Sequence, residues 1–338
     1  MSAQEIPPPA QLMNLIAGKM VTQAVATAAE LGIPDQLAAG PRTAAELATA
    51  IGAPEDTTYR LLRALSLVDV VRESDGRSFT LTPVGTFLRS DVPGSLGAMA
   101  RWIGAGFHHE LWAELTHCVK TGENAVKKVH NQTNPFVALR EHPDVAALFN
   151  GAMTGFSSVI ANAVVAGYDF SYAKRIADVG GGHGYTLSAI LDANPAASGV
   201  LFDLPEVIAG APAILGRLAA RCEIVGGDFF KSVPAGCDAY VYKHILHDWS
   251  DDHCVTMLRH TVSAMAPGGR VVAVEHVVPP PGVPSFGKLL DLEMLVVTDG
   301  GRERTESDFA ALFAKAGLKL ARIVPLQAPV SVLEATRA

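Results

Sequence analysis

The stretch Ile176-Ala177-Asp178-Val179-Gly180-Gly181-Gly182-His183-Gly184-Tyr185 decides the fold. An apolar run enters it, four glycines crowd a short turn, and Thr186-Leu187-Ser188-Ala189-Ile190-Leu191 leaves it with helical character. It reads as strand, tight turn, helix. Glycine lets the backbone turn sharply and approach a ligand that any Cβ would hold off. The N–H groups at the helix start favour negative charge. A nucleotide-like or carboxylate-bearing cofactor is therefore expected at this turn.

Downstream, the pattern repeats as alternating strands and helices. Strands are expected over 175–179, 200–202, 223–225, 239–242, 270–275, 319–324 and 330–335, with helices between most of them. This alternation predicts an α/β domain with a mostly parallel sheet covered on both faces. In such sheets ligands bind at the carboxyl ends of strands, near the switch in strand order. The Pro-rich stretch 277–284 reads as a loop.

Upstream the periodicity is helical. Residues 11–39 carry apolar positions at helical spacing until Gly32 and Pro34 interrupt them. Thr43 followed by Glu46 forms a capping-box pattern that opens a short helix ending at Gly52 and Pro54. A second helix is expected over 56–66. A hairpin follows, pairing 68–72 with 78–82 around Asp75-Gly76. Helix, turn, helix, hairpin is the outline of a winged helix. The second helix offers only Arg60 and Arg63 against Glu55 and Asp56, sparse for a DNA reader, so a structural or dimerisation module is the better reading. Residues 92–170 are mostly helical, with 120–132 polar enough to suggest an irregular connection.

Composition narrows the function class. The 338 residues are 49% hydrophobic and 18% charged, which permits a large core. The net charge of −7 does not draw the chain as a whole to nucleic acid or anionic membrane. Cys118, Cys222, Cys237 and Cys254 show no CxxC pairing and read as reduced thiols of a cytoplasmic protein. Neither a signal pattern nor an apolar run of membrane-spanning length is expected.

The glycine turn alone leaves the cofactor open. The dinucleotide fingerprint requires a third small residue where Tyr185 stands. Asp203, at the end of the next strand, suits the ribose of either NAD or S-adenosylmethionine. Asp228 and Phe229 close a further strand with an acid for an adenine amino group and a ring to stack on it. After the next strand come Lys243-His244-Ile245-Leu246-His247-Asp248-Trp249-Ser250-Asp251-Asp252.

Taken together and in order, DVGGGHG, FDLPEVI, GGDFF, KHILHDWSDD, PGGRVVAVEHV and GGRERTESDF resemble the plant caffeic-acid-type and bacterial small-molecule O-methyltransferase family over nearly the whole chain. The resemblance implies a C-terminal Rossmann-like class I methyltransferase domain with a mixed, mostly parallel seven-stranded sheet. It also implies an N-terminal, mostly helical, winged-helix-like dimerisation domain. On this reading residues 1–100 are the dimerisation domain, 101–170 a helical connection contributing to the acceptor pocket, and 171–338 the S-adenosylmethionine-binding catalytic domain. It implies a homodimer, no metal, and S-adenosyl-L-homocysteine as the product of the donor.

By position, the resemblance assigns Ser157, Asp178, Gly180, Gly182, Asp203, Leu204, Asp228, Phe229 and Lys243 to the cofactor. It assigns His247 as general base with Glu275 and Glu303 beside it, and Met153, Phe156, Trp249 and Met294 to the acceptor. Those residue types suit methyl transfer independently. The donor is already activated, so the protein has to align the acceptor oxygen and remove its proton. A histidine oriented by a carboxylate does the latter. Two departures touch the acceptor side: Phe156 replaces a His common in plant members, and Leu246 a Cys. They argue for a bacterial aromatic or polyketide-derived acceptor.

Other readings attach to the same residues. His244 reads as structural and His183 as solvent-facing. Asp248, Asp251 and Asp252 read as charges at the start of the next helix rather than as a magnesium cluster. Glu303 in Arg302-Glu303-Arg304 suits a surface ion pair or, following Thr298-Asp299-Gly300-Gly301, a site-facing loop. N- or C-methylation, a winged-helix DNA-binding regulator with a degenerate cofactor domain, and an NAD oxidoreductase are the rival functions.

Overall fold

The computed structural model describes residues 6–132 and 135–338. The chain divides into two compact units. One comprises residues 1–110 and 142–156, the other 111–141 and 157–338.

In the first unit, helices Pro8–Ile16 and Gly18–Glu30 replace the single helical run expected from residue 11, breaking at Ala17. Helix Ala44–Ile51 starts at the expected capping box. The Thr43 hydroxyl accepts from the Glu46 N–H at 3.2 Å, and the Glu46 carboxylate accepts from the Thr43 N–H at 2.7 Å. Helix Glu55–Leu67 follows. Strands β1 (Arg42–Thr43), β2 (Val71–Ser74) and β3 (Ser78–Leu81) form an antiparallel sheet in the order β1-β3-β2. The hairpin begins three residues later than expected, because Asp69 takes a left-handed conformation, φ 55°, and turns the chain before Val70. Ile33, Leu47, Leu62, Leu65 and Phe79 fill the core of this unit. On the second helix, Tyr59 is covered by Arg77, whose guanidinium lies 4.4 Å from the ring centroid and 3.5 Å from Glu55.

The region 120–132 is more ordered than its polarity suggests. Asn124 caps a helix, Ala125–His130, by accepting from the Lys127 N–H at 2.8 Å, and Val126 is fully buried. The helix Pro143–Gly167 is long and apolar enough to cross a membrane, against the expectation above. Small residues raise its hydropathy, while Asn150, Ser157, Ser158 and Asn162 interrupt its surface; a core helix of a globular domain has the same character.

The second unit carries the expected seven-stranded sheet: β4 (Arg175–Val179), β5 (Ser198–Asp203), β6 (Cys222–Gly226), β7 (Ala239–Lys243), β8 (Arg270–Glu275), β11 (Leu318–Pro325) and β12 (Ser331–Arg337). Two short strands, β9 (Val277–Val278) and β10 (Arg304–Thr305), pair outside it. The sheet order is β11-β12-β8-β7-β4-β5-β6; β12 is antiparallel to β8 and to β11, and the rest are parallel. Residues Ala177, Val200, Tyr240, Tyr242, Val271 and Leu333 are fully excluded from solvent in this sheet, the near-continuous apolar pattern of strands covered on both faces. Strand order reverses between β4 and β7. The glycine turn leaves one of these strands and the segment from Lys243 to His247 leaves the other, so both motifs emerge at the position where open α/β sheets form a crevice.

Candidate active site

The turn after β4 is built by left-handed glycines: Gly180, Gly182 and Gly184 have φ of 69°, 58° and 86°. The Gly182 N–H donates to Asp203 Oδ2 at 2.8 Å and the Leu204 N–H to Oδ1 at 2.7 Å. The carboxylate at the end of β5 is thereby fixed over the turn, and each oxygen retains lone-pair capacity for a further donor. Open space surrounds the position a Cβ would take on Gly182. Below the turn, Asp178 is buried, and burial raises its carboxyl to about 7 although Lys243 pulls the other way. Its Oδ2 has no hydrogen-bond partner. Burial in turn lowers Lys243, against Asp178, Glu275 and Asp248. The His183 ring lies over Gly210, 3.0 Å from the position a Cβ there would occupy, so it packs on the protein rather than only facing solvent.

At the end of β6, Asp228 Oδ1 accepts from the Phe230 N–H at 2.9 Å. The Phe229 and Phe230 rings meet edge-on with centroids 4.8 Å apart, and Trp249 packs edge-on against both. Ile245 closes this wall, within 2.5 Å of where a Gly180 Cβ would be.

His247 sits in a single 3-10 turn, Leu246–Asp248, just past β7. Its Nδ1 is 2.7 Å from Glu303 Oε1, and its Nε2 is 3.5 Å from Asp248 Oδ1. Glu275 reaches the same turn differently: its Oε1 accepts the N–H groups of Ile245 at 3.1 Å and Leu246 at 2.8 Å. His247 is 8% exposed, Glu275 0% and Glu303 5%. Burial opposes a charged imidazole, but Asp248, Glu275 and Glu303 override it and hold His247 at about 10. Burial likewise raises Glu275 to about 7, with His247 opposing. Burial also raises Asp248. Asp248 therefore belongs to this cluster and does not cap the next helix. That task falls to Ser250, whose hydroxyl accepts from the His253 N–H, with Asp251 and Asp252 in the first turn of Asp251–Ala264.

Several supporting residues escape a reading of the sequence. Arg304, 1% exposed, donates to the carbonyls of Leu246 at 2.6 Å and Trp249 at 2.9 Å, and to Asp251 at 2.8 Å. One guanidinium thus braces both ends of the turn that carries His247. The Arg302 N–H donates to the His247 carbonyl at 2.8 Å, and the Glu303 N–H to Asp291 Oδ1 at 2.8 Å. Gly301 lies against the same turn, where a Cβ would come 2.5 Å from the His247 carbonyl oxygen. The stretch 277–284, expected to be only a loop, contributes β9, whose pairing with β10 sets the position of Glu303. The alternation Arg302-Glu303-Arg304 is compatible with a surface; Arg302 stays exposed, while Glu303 and Arg304 are buried beside the pairing of these short strands.

The remaining candidate residues are distributed as follows. Met294 is buried on helix Gly287–Val297 and its carbonyl accepts from Thr298. Ser157 begins the second unit's part of helix Pro143–Gly167, while Met153 and Phe156, half-buried and three residues apart on one helix face, belong to the first unit. A cavity of about 130 Å³ opens beside Asp248 and Trp249, closed by Phe136, His253, Thr298 and Asp299. A larger, open cleft of about 440 Å³ runs along helix Tyr185–Ala193, and none of the candidate residues lines it.

A Rossmann-like sheet with this strand order, an acid at the end of the second strand tied to the glycine turn, and a carboxylate-bound histidine after the fourth define a methyltransferase of the class I fold. The chain belongs to the O-methyltransferase family: residues 112–319 match the O-methyltransferase domain and residues 13–91 the O-methyltransferase dimerisation domain. It is 40% identical to the phenazine O-methyltransferase PhzM of Lysobacter antibioticus over 335 residues, covering 98% of this chain and 97% of that relative. It is 38% identical to the 8-amino-8-demethylriboflavin N,N-dimethyltransferase of Streptomyces davaonensis, covering 90% and 89%. Among solved structures, it matches an O-methyltransferase from neocarzinostatin biosynthesis in complex with S-adenosylmethionine and 2-hydroxy-5-methyl naphthoic acid. That match has a TM-score of 0.79 and 33% identity and covers 99% and 100% of the two chains.

Proposed function

We propose that this protein transfers a methyl group from S-adenosylmethionine to a hydroxyl of a small aromatic or enolic acceptor, with His247 as general base. The buried His247 Nδ1–Glu303 Oε1 contact of 2.7 Å carries the reading. Glu303 fixes the tautomer that places the proton on Nδ1 and leaves the Nε2 lone pair for the acceptor. Asp248, Glu275 and Glu303 raise the proton affinity of His247 toward that of a phenol, which ionises near 10, so the neutral imidazole, present on the alkaline side of its own titration, is the form that acts as base. Proton transfer between such matched groups carries little penalty, and the imidazolium formed rests against Glu303 and Asp248. Glu275 acts through the backbone, holding the turn by the N–H groups of Ile245 and Leu246.

The crevice fits the donor's nucleoside. Open space at Gly182, the lone pairs of Asp203 and the unpartnered Asp178 Oδ2 supply a turn with no side chain in the way, ribose acceptors and an unused acceptor. Gly180, Gly182, Asp203 and Leu204 would hold the ribose side, Asp228 and Phe229 the adenine, and Asp178, Lys243 and Ser157 the amino-acid end. The group supplies an activated methyl on a sulfonium. Within the second unit, Trp249 and Met294 would face the acceptor. The O-methylating relative and the hydroxy-naphthoate complex support an oxygen acceptor, while the dimethyltransferase relative keeps a nitrogen acceptor as the test's alternative.

The dimerisation domain supports a homodimer. In its first helices Leu12, Met13, Leu15, Ile16 and Met20 are 59–78% exposed, an apolar run that a partner copy would cover. Free Cys118, Cys237 and Cys254, all buried, support a reducing, cytoplasmic setting.

The test is calorimetric titration with S-adenosylmethionine, S-adenosylhomocysteine and NAD, followed by paired phenol and aniline acceptors scored for methyl gain by mass. Binding of the first two ligands and methylation of phenols only is expected. Binding of NAD alone refutes the donor, and methylation of anilines only refutes the oxygen acceptor. In His247→Ala, turnover should drop about 10²–10⁴-fold, the range for loss of a general base, with donor affinity nearly intact. Undiminished turnover removes His247 from the chemistry.

A further inference from the structure

His247 does not stand alone in the crevice. The ring of His244 lies on it, with centroids 5.3 Å apart and planes 29° apart. The ring of His276 lies on His244 in turn, at 5.6 Å and 18°. The three imidazoles come from two strand ends: His244 and His247 follow β7, and His276 follows Glu275 at the end of β8. The backbone is bent to achieve this. His244 has φ 52°, a left-handed conformation uncommon for a residue with a side chain, and its N–H is tied to the Val274 carbonyl at 3.1 Å. Such conformations persist only where the surroundings enforce them, and they concentrate at functional sites.

We propose that His244 and His276 are positioning residues that set the plane of the His247 ring by stacking. The proposal rests on the reading of His247 as general base. Glu303 holds His247 by one ring edge and Asp248 lies near the other, and two in-plane contacts leave the ring free to rock about the line joining them. A flat neighbour on its face removes that freedom. Aromatic rings pack in this offset manner at centroid separations of about 4.5–7 Å. The charged and titratable groups around the column are Lys243 beside His244, Asp248 beside His247, Glu275 at the end of the neighbouring strand β8, and Glu303 just before β10. Burial and then the Lys243 charge keep His244 well below its usual range, so it stays a neutral surface when its neighbour takes a proton. Burial acts first on His276 in the same direction. A neutral stack also shields the His247 face from water, which opposes its charging; removal of the stack should therefore raise the apparent pKa of His247.

The test compares three variants. His244→Asn removes the ring but tolerates the left-handed backbone; His276→Ala removes the outer ring; His276→Phe retains a ring without its nitrogens. The C2–H proton resonance of His247, assigned by its loss in His247→Ala, is followed by NMR across pH, alongside steady-state kinetics, donor affinity and thermal unfolding. In His244→Asn the resonance should shift and titrate at higher pH. Its kcat should fall about tenfold, with the donor Kd within twofold of wild type. His276→Ala should show the same in smaller measure, and His276→Phe should recover to within about threefold of wild type. An unmoved His247 titration in His244→Asn overturns the proposal, as does a His276→Phe as impaired as His276→Ala. The NMR readout needs no turnover, so full activity in His247→Ala would sink the base assignment while the stacking is still judged on its own resonance.

Discussion

Glu303 Oε1 lies 2.7 Å from His247 Nδ1, across 56 positions of sequence, with the carboxylate side chain fully out of solvent. Charge on Glu303 thus bears directly on the proton affinity of His247. Glu303→Gln keeps the shape and removes one of the three carboxylates that raise His247. With less negative charge nearby the imidazolium is less favoured, so the folded pKa of His247 falls. The base is then neutral down to lower pH. The acid limb of kcat/KM should move to lower pH, while kcat itself falls because the imidazolium formed in the reaction loses its partner. A pH–rate profile of the two proteins checks both; a limb that moves upward contradicts the assignment.

Arg304→Lys tests the brace on the turn. Lysine retains the charge but not the planar fork that reaches the carbonyls of Leu246 and Trp249 and the Asp251 carboxylate together. Leaving a buried acceptor unpaired costs about 1–3 kcal/mol. A loss of about 2 kcal/mol by urea unfolding is expected, with kcat reduced more than donor affinity. An unchanged midpoint shows that the turn holds itself.

How much of this was legible in the chain differs between strands and site. Seven strands lie where alternation puts them; the inner ones announce themselves because a strand covered on both faces must be apolar throughout, as Val200, Tyr240 and Val271 show, whereas the edge strands β6 and β11 are only partly buried and are marked by their place in the alternation. The capping pattern at Thr43 and Glu46 is equally local. Arg304, Asp291 and Gly301 are not. Their roles depend on a two-residue parallel pairing, Arg304 with Val277 and Thr305 with Val278, too short to leave a periodic signal. The polar stretch 120–132 misled for a related reason: a single turn-and-a-half of helix, Ala125–His130, buries only Ala125 and Val126 and presents its lysines outward.

Asp203→Ala should weaken donor binding. Its two oxygens anchor the Gly182 and Leu204 N–H groups, so the variant loosens the turn and, on the proposed reading, loses a ribose acceptor as well. A rise in donor Kd of about tenfold to a hundredfold is expected, equivalent to about 1.4–2.8 kcal/mol. Calorimetry measures it; an unaltered Kd removes Asp203 from the cofactor site.

Charge placed on the exposed apolar helices should split the dimer. Leu15 and Met20 are 78% and 77% exposed in the single chain. Leu15→Glu with Met20→Glu should give a monomer mass in light scattering at micromolar concentration, where a dimer mass is expected for the wild-type protein; a wild-type monomer refutes the homodimer. Equal dimer masses for the two locate the interface elsewhere.

The five-residue turn after β4 has one outlet for evolutionary drift. Gly180, Gly182 and Gly184 are held by backbone conformation, and Gly181 by space, since a Cβ there would meet Leu201 and the Asp178 carboxylate at 2.5–2.7 Å. Position 183 alone carries a side chain, and it packs over Gly210. Sequence variation along this edge of the crevice is therefore channelled through a single site. An engineer seeking to graft a reporter, a tether or a new charge at this edge of the crevice has at His183 a place where the turn itself imposes no veto.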